Sequence, residues 1–270
     1  MPKQNDLFIP ANFQDTTAHM VNTRRTHTWL GADDIDFEMQ FPKRDDKMSL
    51  LRVNQEGLEH FVRKYGNTYQ LLRLESCPQI KDLSPLSDLP NLQAFCIDWC
   101  QTDVLWDMSY NSKLKVISIA NAKKITWQPK LLETGKTLEE VRFWGPTSGG
   151  TYPMATLDFF RGMSNLRRID LNWIKLADKS MGFLDTLPNL EEFHFDAGML
   201  TTEEIAQIVA QHPNLYGQCL RAYDDEYIHV GEVRICGSRK PTLQLPKQQK
   251  RLDEYIRQFN ALVELYRNNI

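Results

Sequence analysis

One histidine and two aspartates in the sequence could take part in acid–base chemistry. His194 stands near Asp196 and, one copy earlier in a repeating pattern, near Asp170. A histidine flanked by carboxylates can act as a general base. No nucleophile completes such a group, and the sequence contains none of the GxSxG, HExxH, GxGxxG or Walker motifs. We therefore expect no catalytic residue and no enzymatic activity.

Two further patterns could hold an ion or a phosphate. Asp34 and Asp36 have DxD spacing, but on the strand predicted there they would share one solvated outer face. The Gly149-Gly150 pair lacks the GK[ST] ending and the following helix of a phosphate-binding loop. We expect a flexible excursion there, at one rim of a sheet. The sequence predicts neither a metal nor a cofactor.

Cysteine usage favours a reducing compartment. The cysteines are odd in number and form no CxxC pair, which is typical of free thiols rather than of a disulfide framework or a zinc site. They are Cys77, Cys96, Cys100, Cys219 and Cys236. The first thirty residues hold no apolar run typical of a secretory signal, and nowhere are about 18 apolar residues consecutive. We expect a cytoplasmic protein.

A sequence repeat determines where these residues lie in the fold. With Tyr69 as position 1, apolar residues fall at positions 1, 4, 6 and 12, and a cysteine falls at position 9. The same frame recurs from Leu92, Leu114, Leu138, Leu166 and Leu190, and more weakly from Leu215. The starts are 22 to 28 residues apart. This drift indicates variable connections between short strands of constant length.

Alternation within each copy predicts how the strands pack. Positions 4 and 6 lie on one face of a strand, and positions 3, 5 and 7 lie on the other. A single strand cannot bury its apolar face alone, so the copies must stack into a parallel sheet with a shared core. The residues at position 4 should then stand side by side: Leu72, Phe95, Ile117, Val141, Ile169 and Phe193.

The LxxLxL pattern followed by a cysteine at position 9 resembles the leucine-rich repeat superfamily. The first copy, with IKDLSPLSDLPNL, is most similar to the bacterial internalin-type variant, and Cys77 and Cys100 are similar to the cysteine-containing variant. The resemblance implies an α/β solenoid, with a curved parallel sheet, short helices or turns on its convex side, and position-9 side chains turned inward. Residues that depart from the pattern at position 9 suggest looser turns: Ala122, Pro146, Ile174 and Gly198.

The flanking segments read as caps on the open ends of the stack. Residues 1–66 should form an N-terminal arm (1–34), a half-buried strand at 35–41, a second strand at 48–53 and a helix at 56–65. Residues 67–216 hold the repeats. Residues 217–270 should form a C-terminal cap that ends in an amphipathic helix over 247–266. The alternative is that this helix is offered to a partner or to a second copy.

Large aromatic side chains mark the surface most suited to binding. The repeat frame places Trp144 at position 7 and Trp99 and Trp173 at position 8, on or beside the concave face. Strand spacing puts Trp144 next to Trp173, and Trp99 roughly 14 Å from Trp173. We predict these tryptophans as anchors of a partner, among the polar residues Asp98, Arg142, Asp170, His194 and Asp196. The alternative is that they pack against the Gly149 loop or the N-terminal arm.

The charge and composition of the chain favour a protein-binding function. A net charge of −3 over 270 residues gives no basic field for nucleic acid. We expect a non-enzymatic, monomeric module of bacterial type that binds a protein or peptide on its concave face, with basic side chains favoured by the acidic surroundings. A toxin-neutralising protein of immunity type and a delivered effector remain open as its role. A ligase using Cys219 or Cys236, and self-association through the C-terminal helix, are the alternatives from other classes.

Overall fold

The repeats build one continuous parallel sheet. A computed structural model describes residues 19–21, 31–39, 46–102, 105–122, 134–146, 149–225 and 229–269. The first ten strands are β1 (His19–Val21), β2 (Lys47–Leu51), β3 (Leu71–Glu75), β4 (Ala94–Asp98), β5 (Val116–Ala120), β6 (Glu140–Trp144), β7 (Tyr152–Met154), β8 (Arg168–Asn172), β9 (Ile174–Leu176) and β10 (Glu192–Phe195). Eight of them form a sheet in the order β1-β2-β3-β4-β5-β6-β8-β10, and every neighbouring pair is parallel.

The register of this sheet is the one that the repeat predicts. Leu72 pairs with Phe95, and the same row continues through Ile117, Val141, Ile169 and Phe193. All six side chains are fully buried. Each contributes about 1.5–3 kcal/mol by leaving water, and only the stacked neighbours provide that burial. The leucine-rich repeat solenoid is therefore confirmed.

The convex side is built from single turns, as expected. Short 3-10 helices lie at Ser84–Asp88, Met108–Tyr110, Asp158–Phe160 and Leu184–Thr186. Asn111, fully buried, ties two of these turns together: its Nδ2 donates to the Leu86 and Leu89 carbonyls at 2.9 Å each, and its Oδ1 accepts from the Trp106 indole at 2.6 Å. Trp106 therefore packs in the core.

Position 9 behaves as the resemblance implies where it holds cysteine. The Cys77 sulfur accepts from the Val53 amide at 3.3 Å and lies 3.2 Å from the Glu75 carbonyl, and Cys100 approaches the Leu74 carbonyl at 3.6 Å. The prediction of a looser turn is wrong at Ile174. There the chain continues as β9, which pairs in parallel with β7 in a separate two-stranded ladder.

The N-terminal cap differs from the sequence prediction. Residues 35–39, read as part of a strand, belong to the helix α1 (Ala32–Met39), which places Ile35 and Met39 one turn apart on the core side. The physical reason is a contact across to α2 (Gln55–Tyr65): the Asp36 carboxylate accepts from Lys64 Nζ, Tyr65 OH and His60 Nε2 at 2.6–2.7 Å. These bonds hold the pKa of Asp36 well below its usual range. Most of the predicted arm, residues 1–18 and 22–30, lies outside the described residues.

The C-terminal residues cover the last repeat. Helix α3 (Thr202–Gln211) begins with a capping box, in which Thr201 Oγ1 accepts from the Glu204 amide at 3.2 Å. The antiparallel strands β11 (Tyr223–Asp224), β12 (Glu232–Ile235) and β13 (Thr242–Gln244) follow. Helix α4 (Gln249–Arg267) packs on α3 and buries Leu252, Phe259 and Val263, so its apolar stripe is used within the chain. No helix in the described ranges combines the length and the apolar character needed to span a bilayer.

Candidate partner-binding surface

The residue that follows five of the sheet strands (β2, β3, β4, β5 and β8) adopts an unusual backbone conformation. The φ angles of these residues lie between 52° and 57°, in the left-handed region, for Arg52, Ser76, Trp99, Asn121 and Trp173. We name these five residues the strand-end row. The left-handed conformation costs an L-residue about 1 kcal/mol, and short polar side chains tolerate it best. A tryptophan there is therefore unfavourable for its own backbone.

The amides that follow the strands extend the sheet ladder by one hydrogen bond. Those of Arg52, Ser76 and Asn121 each donate to a carbonyl at the end of the next strand, at 3.1, 2.9 and 3.2 Å. Gly145, which follows β6 without a left-handed φ, donates to the Asn172 carbonyl at 2.7 Å, so this bond does not depend on the left-handed turn. The Trp173 amide instead donates to the Asp196 carboxylate. Burial raises the pKa of Asp196, since its charge is partly removed from water.

Two of the predicted anchors are exposed. Trp99 is 47% exposed and Trp173 is 40% exposed, although both belong to a residue type that is mostly buried. Trp99 follows Asp98, whose Oδ1 accepts from Asn121 Nδ2 at 2.7 Å and whose Oδ2 lies 3.7 Å from Arg73. Each exposed tryptophan is thus associated with an aspartate: Asp98 precedes Trp99 in the chain, and the Asp196 carboxylate accepts from the Trp173 backbone amide.

The third anchor, Trp144, is held from both sides. Its indole nitrogen donates to Asp170 at 3.1 Å, and the Arg142 guanidinium lies 4.8 Å from its ring centroid. Arg142 and Asp170 lie 3.3 Å apart and are only 7% and 4% exposed, so they position Trp144 and have little surface of their own. Trp144 meets Trp173 edge to face at 6.2 Å, which confirms that the two are neighbours.

Glycines around Trp173 have two different roles. A Cβ atom at Gly145 would lie 2.3 Å from the Trp173 carbonyl oxygen, so only glycine lets that residue come so close. At Gly149 and Gly150 an added Cβ would meet nothing within 4 Å, and both residues are exposed. The described part of the Gly149 loop thus leaves open space around itself; residues 147–148 are not described.

His194 is paired differently from the sequence prediction. Its Nε2 lies 2.9 Å from Glu192 Oε2, on the same strand, and its ring meets Tyr216 edge to face at 5.7 Å. The predicted flanking by Asp170 and Asp196 is therefore not its hydrogen-bonded environment. The bond from His194, with help from Arg168, lowers the pKa of Glu192.

Six residues of β6, β8 and β10 form a register of alternating charge on the concave face, which we name the charge lattice. At position 3 the order is Glu140, Arg168, Glu192, and at position 5 it is Arg142, Asp170, His194. Opposite charges thus stand side by side in three pairs: Glu140 with Arg168, Arg168 with Glu192, and Arg142 with Asp170. Glu140 is 1% exposed, burial raises its pKa, and its carboxylate oxygens have no hydrogen-bond donor in the described chain.

Position 3 of the preceding strands is apolar and buried. Leu71, Ala94 and Val116, at position 3 of β3, β4 and β5, form a fully buried cluster separate from the main core. Cys96 and Ser118 at position 5 are buried as well. Large side chains are therefore exposed at the strand-end row more than in the middle of the concave face. The sequence frame did not reveal this difference.

The remaining candidate chemistry is not supported by the geometry. Cys219 and Cys236 are both buried, and the neighbouring Cys236 thiol together with burial raises the pKa of Cys219 well above its usual range. A catalytic cysteine needs the opposite shift. Within the ranges that the structure describes, no cluster of histidine, cysteine and acidic residues is suited to hold a metal ion.

Comparisons with known proteins gave structural likeness only. No family model matches the sequence, and no curated protein matches it. Among solved structures, the chain is similar to an internalin (inlF) from Listeria monocytogenes, with 14% identity, a TM-score of 0.46 and coverage of 64% of this chain and 54% of that one. It is similar to internalin C2 (inlC2) of the same organism, with 21% identity, a TM-score of 0.41 and coverage of 53% and 59%.

A third similar structure is the functional domain of InlJ from Listeria monocytogenes, which includes a cysteine ladder. Its identity is 13%, its TM-score is 0.38, and the match covers 56% of this chain and 30% of that one. The chain therefore spans little more than half of the first two solved structures, and less of the third.

Proposed function

We propose that this leucine-rich repeat chain is a non-enzymatic binding module that recognises a protein or peptide through Trp99 and Trp173. The observation that carries the proposal is that both tryptophans are exposed and left-handed. Asn121 occupies the same position of the repeat between them, which shows what the backbone prefers there. A residue that costs its own backbone energy and leaves apolar surface in water is explained by a partner that covers it.

This surface is held in position by three side chains, those of Trp144, Arg142 and Asp170. Trp144 packs against Trp173, and its own position is fixed by the other two side chains. A preformed indole loses little conformational entropy on binding, which favours affinity. Asp98 and Asp196 provide charge beside the indoles, and His194 lies further along the same face. We propose a monomer in the cytoplasm, since five buried free thiols suit a reducing compartment.

A peptide-display selection tests the proposal. The full chain is immobilised, and random peptides are selected on it and on the double variant Trp99→Gly/Trp173→Gly. Glycine is chosen because it accepts a left-handed backbone. Tyr110→Ala is the matched control, because Tyr110 is also an exposed aromatic but lies on the convex side.

We expect related sequences to be enriched on the wild type and on the Tyr110 variant, and not on the double variant. Equal enrichment on the double variant, or no convergence of sequences on any of the three, would contradict the proposal. The identity of a natural protein that carries the selected sequence then decides between a neutralised toxin and a host target.

A further inference from the structure

We propose, on the basis of the binding function above, that the partner is an extended peptide segment with two basic side chains at positions i and i+4. One basic side chain would contact Trp99 and Asp98, and the other would contact Trp173 and Asp196. We name these two pairs the Trp99 station and the Trp173 station.

The residues of each station suit a cation. An exposed indole attracts a guanidinium or ammonium group through the negative face of its ring, and a carboxylate beside it adds a charge-assisted hydrogen bond. Asp98 is only partly neutralised, since Arg73 lies at 3.7 Å and also contacts Glu75 at 3.2 Å. Asp196 is bonded to the Trp173 amide and is partly desolvated, and Arg234 offsets only part of that desolvation, so a further cation close to it would stabilise the carboxylate.

The molecule already contains one filled example of this arrangement, located between the two stations. The Arg142 guanidinium lies 4.8 Å from the ring centroid of Trp144 and 3.3 Å from Asp170. An indole, a carboxylate and a guanidinium are thus brought together by the sheet itself. At the Trp99 and Trp173 stations an arginine lies near each carboxylate, Arg73 near Asp98 and Arg234 near Asp196, but the indoles stay exposed, and we infer that the partner supplies the cation that covers them.

The distance between the stations determines the spacing of the basic residues. Trp99 follows β4 and Trp173 follows β8, which are three steps apart through β5 and β6. Steps of about 4.8 Å give roughly 14 Å. An extended chain advances about 3.4 Å per residue, so four residues span roughly 14 Å, and an even count puts both side chains on the same face.

A helical partner does not fit this spacing. A helix rises 1.5 Å per residue, so roughly nine residues would be needed, and about 100° of rotation per residue would then put the two side chains on opposite faces. The chain's net charge of −3 also favours a basic partner over an acidic one.

A series of isomeric peptides tests the inference. Each peptide carries two arginines in the same neutral, flexible background, and the second arginine stands at position i+2, i+3, i+4, i+5 or i+6. Binding to the full chain is measured by fluorescence anisotropy. We expect the i,i+4 peptide to bind about tenfold more tightly than the i,i+3 and i,i+5 peptides, since each of those can fill only one station at a time. Equal affinities across the series would overturn the inference.

Variants of the stations make the test specific. Asp98→Asn and Asp196→Asn should each weaken binding of the i,i+4 peptide about tenfold, because an amide can still accept the structural hydrogen bonds but carries no charge. Asp178→Asn is the matched control, since Asp178 is exposed and belongs to neither station. Near-ultraviolet circular dichroism confirms that each variant is folded. If both station variants bind as the wild type does, the inference is wrong.

The display selection distinguishes a failure of the basic, extended partner from a failure of the proposed binding function. Display selection that enriches indole-dependent peptides without paired basic residues would leave the binding module intact and would refute only the basic, extended partner. A selection with no dependence on Trp99 and Trp173 would refute both.

Discussion

At the scale of single residues, the binding surface depends on a conflict between side chain and backbone. Arginine, serine, tryptophan and asparagine all occupy the strand-end row, and no glycine marks it. The left-handed conformation was therefore not readable from the sequence, whereas the alternation of the repeat correctly placed Trp144 beside Trp173. The exposure of Trp99 and Trp173 does not follow from the left-handed conformation alone, since Asn121 shares that conformation and is only 9% exposed.

The left-handed conformation of Trp99 makes a prediction about two small substitutions. Trp99→Gly should have a free energy of unfolding about 1 kcal/mol higher than Trp99→Ala, because glycine adopts positive φ without steric cost. Urea-induced unfolding of the two variants measures the difference. At Tyr110, which does not have positive φ, the order should reverse. A Trp99→Ala variant as stable as Trp99→Gly would contradict the backbone argument.

Glu140 gives a prediction with a defined pH dependence. Burial raises its pKa, so the folded state holds the proton better than the unfolded chain does, and the ionised carboxylate destabilises the fold above the folded-state pKa. Glu140→Gln should therefore raise the free energy of unfolding at pH 7. Arg168 keeps its contact with Glu192 at 3.4 Å, so it is not left alone.

The same measurement at lower pH checks the sign. The difference between Glu140→Gln and the wild type should shrink as the pH falls, and should vanish below the ordinary glutamate pKa, where both states of the wild type are protonated. Glu139→Gln is the control, because Glu139 pairs with Lys115 at 2.7 Å and gains nothing from neutralisation. A gain that is independent of pH would show that charge is not its cause.

At the scale of elements, the hydrophobic periodicity of the sequence predicted a strand correctly where burial of one face determines the structure. The register of six strands followed from the position-4 residues alone, because a slip of one residue would turn every apolar side chain outward. The segment from Ile35 onward has the same alternation but forms α1. There the decisive contacts come from His60, Lys64 and Tyr65, far away in sequence, and no local pattern reports them.

Asn111 is the element-scale contact that we expect to be most sensitive to substitution. Asn111→Leu would leave the Trp106 indole N–H buried without its partner and would remove the second hydrogen bond of the Leu86 and Leu89 carbonyls, which keep their backbone amides. We expect a loss of about 1–3 kcal/mol in the free energy of unfolding, measured by denaturant titration. Asn189→Leu is the control, since its bond to the Ser164 carbonyl is exposed and should cost less than about 1 kcal/mol. Equal losses would contradict the role given to Asn111.

At the scale of the whole molecule, an open solenoid needs both ends covered. The C-terminal end is covered by α3, α4 and the strands β11 to β13, among which Leu243 and Leu252 pack with Val233 and Ile235. The amphipathic pattern predicted the helix. It could not show which surface that helix covers, because the hydrophobic stripe of a cap and that of an oligomer contact look alike in sequence.

A truncation after Ser238 distinguishes these two roles. It removes β13 and α4 and exposes Val233 and Ile235, so we expect aggregation, detected by size-exclusion chromatography with light scattering, while the full chain elutes as a monomer. Leu265→Ala, an exposed position on α4, should not change the elution volume. A full chain that is dimeric and a truncated chain that is a folded monomer would instead assign α4 to self-association.

The charge lattice also limits how the chain can misfold. Sliding β8 by two residues against β6 keeps the apolar side chains inside, yet it would set Arg142 beside Arg168 in one direction and Glu140 beside Asp170 in the other. Sliding β10 against β8 would bring Glu192 beside Asp170. Like charges would then stand side by side in each of these arrangements, at a cost that is largest for Glu140 and Asp170, which are buried. The ionic side chains thus penalise the even-numbered misalignments that hydrophobic alternation alone cannot reject.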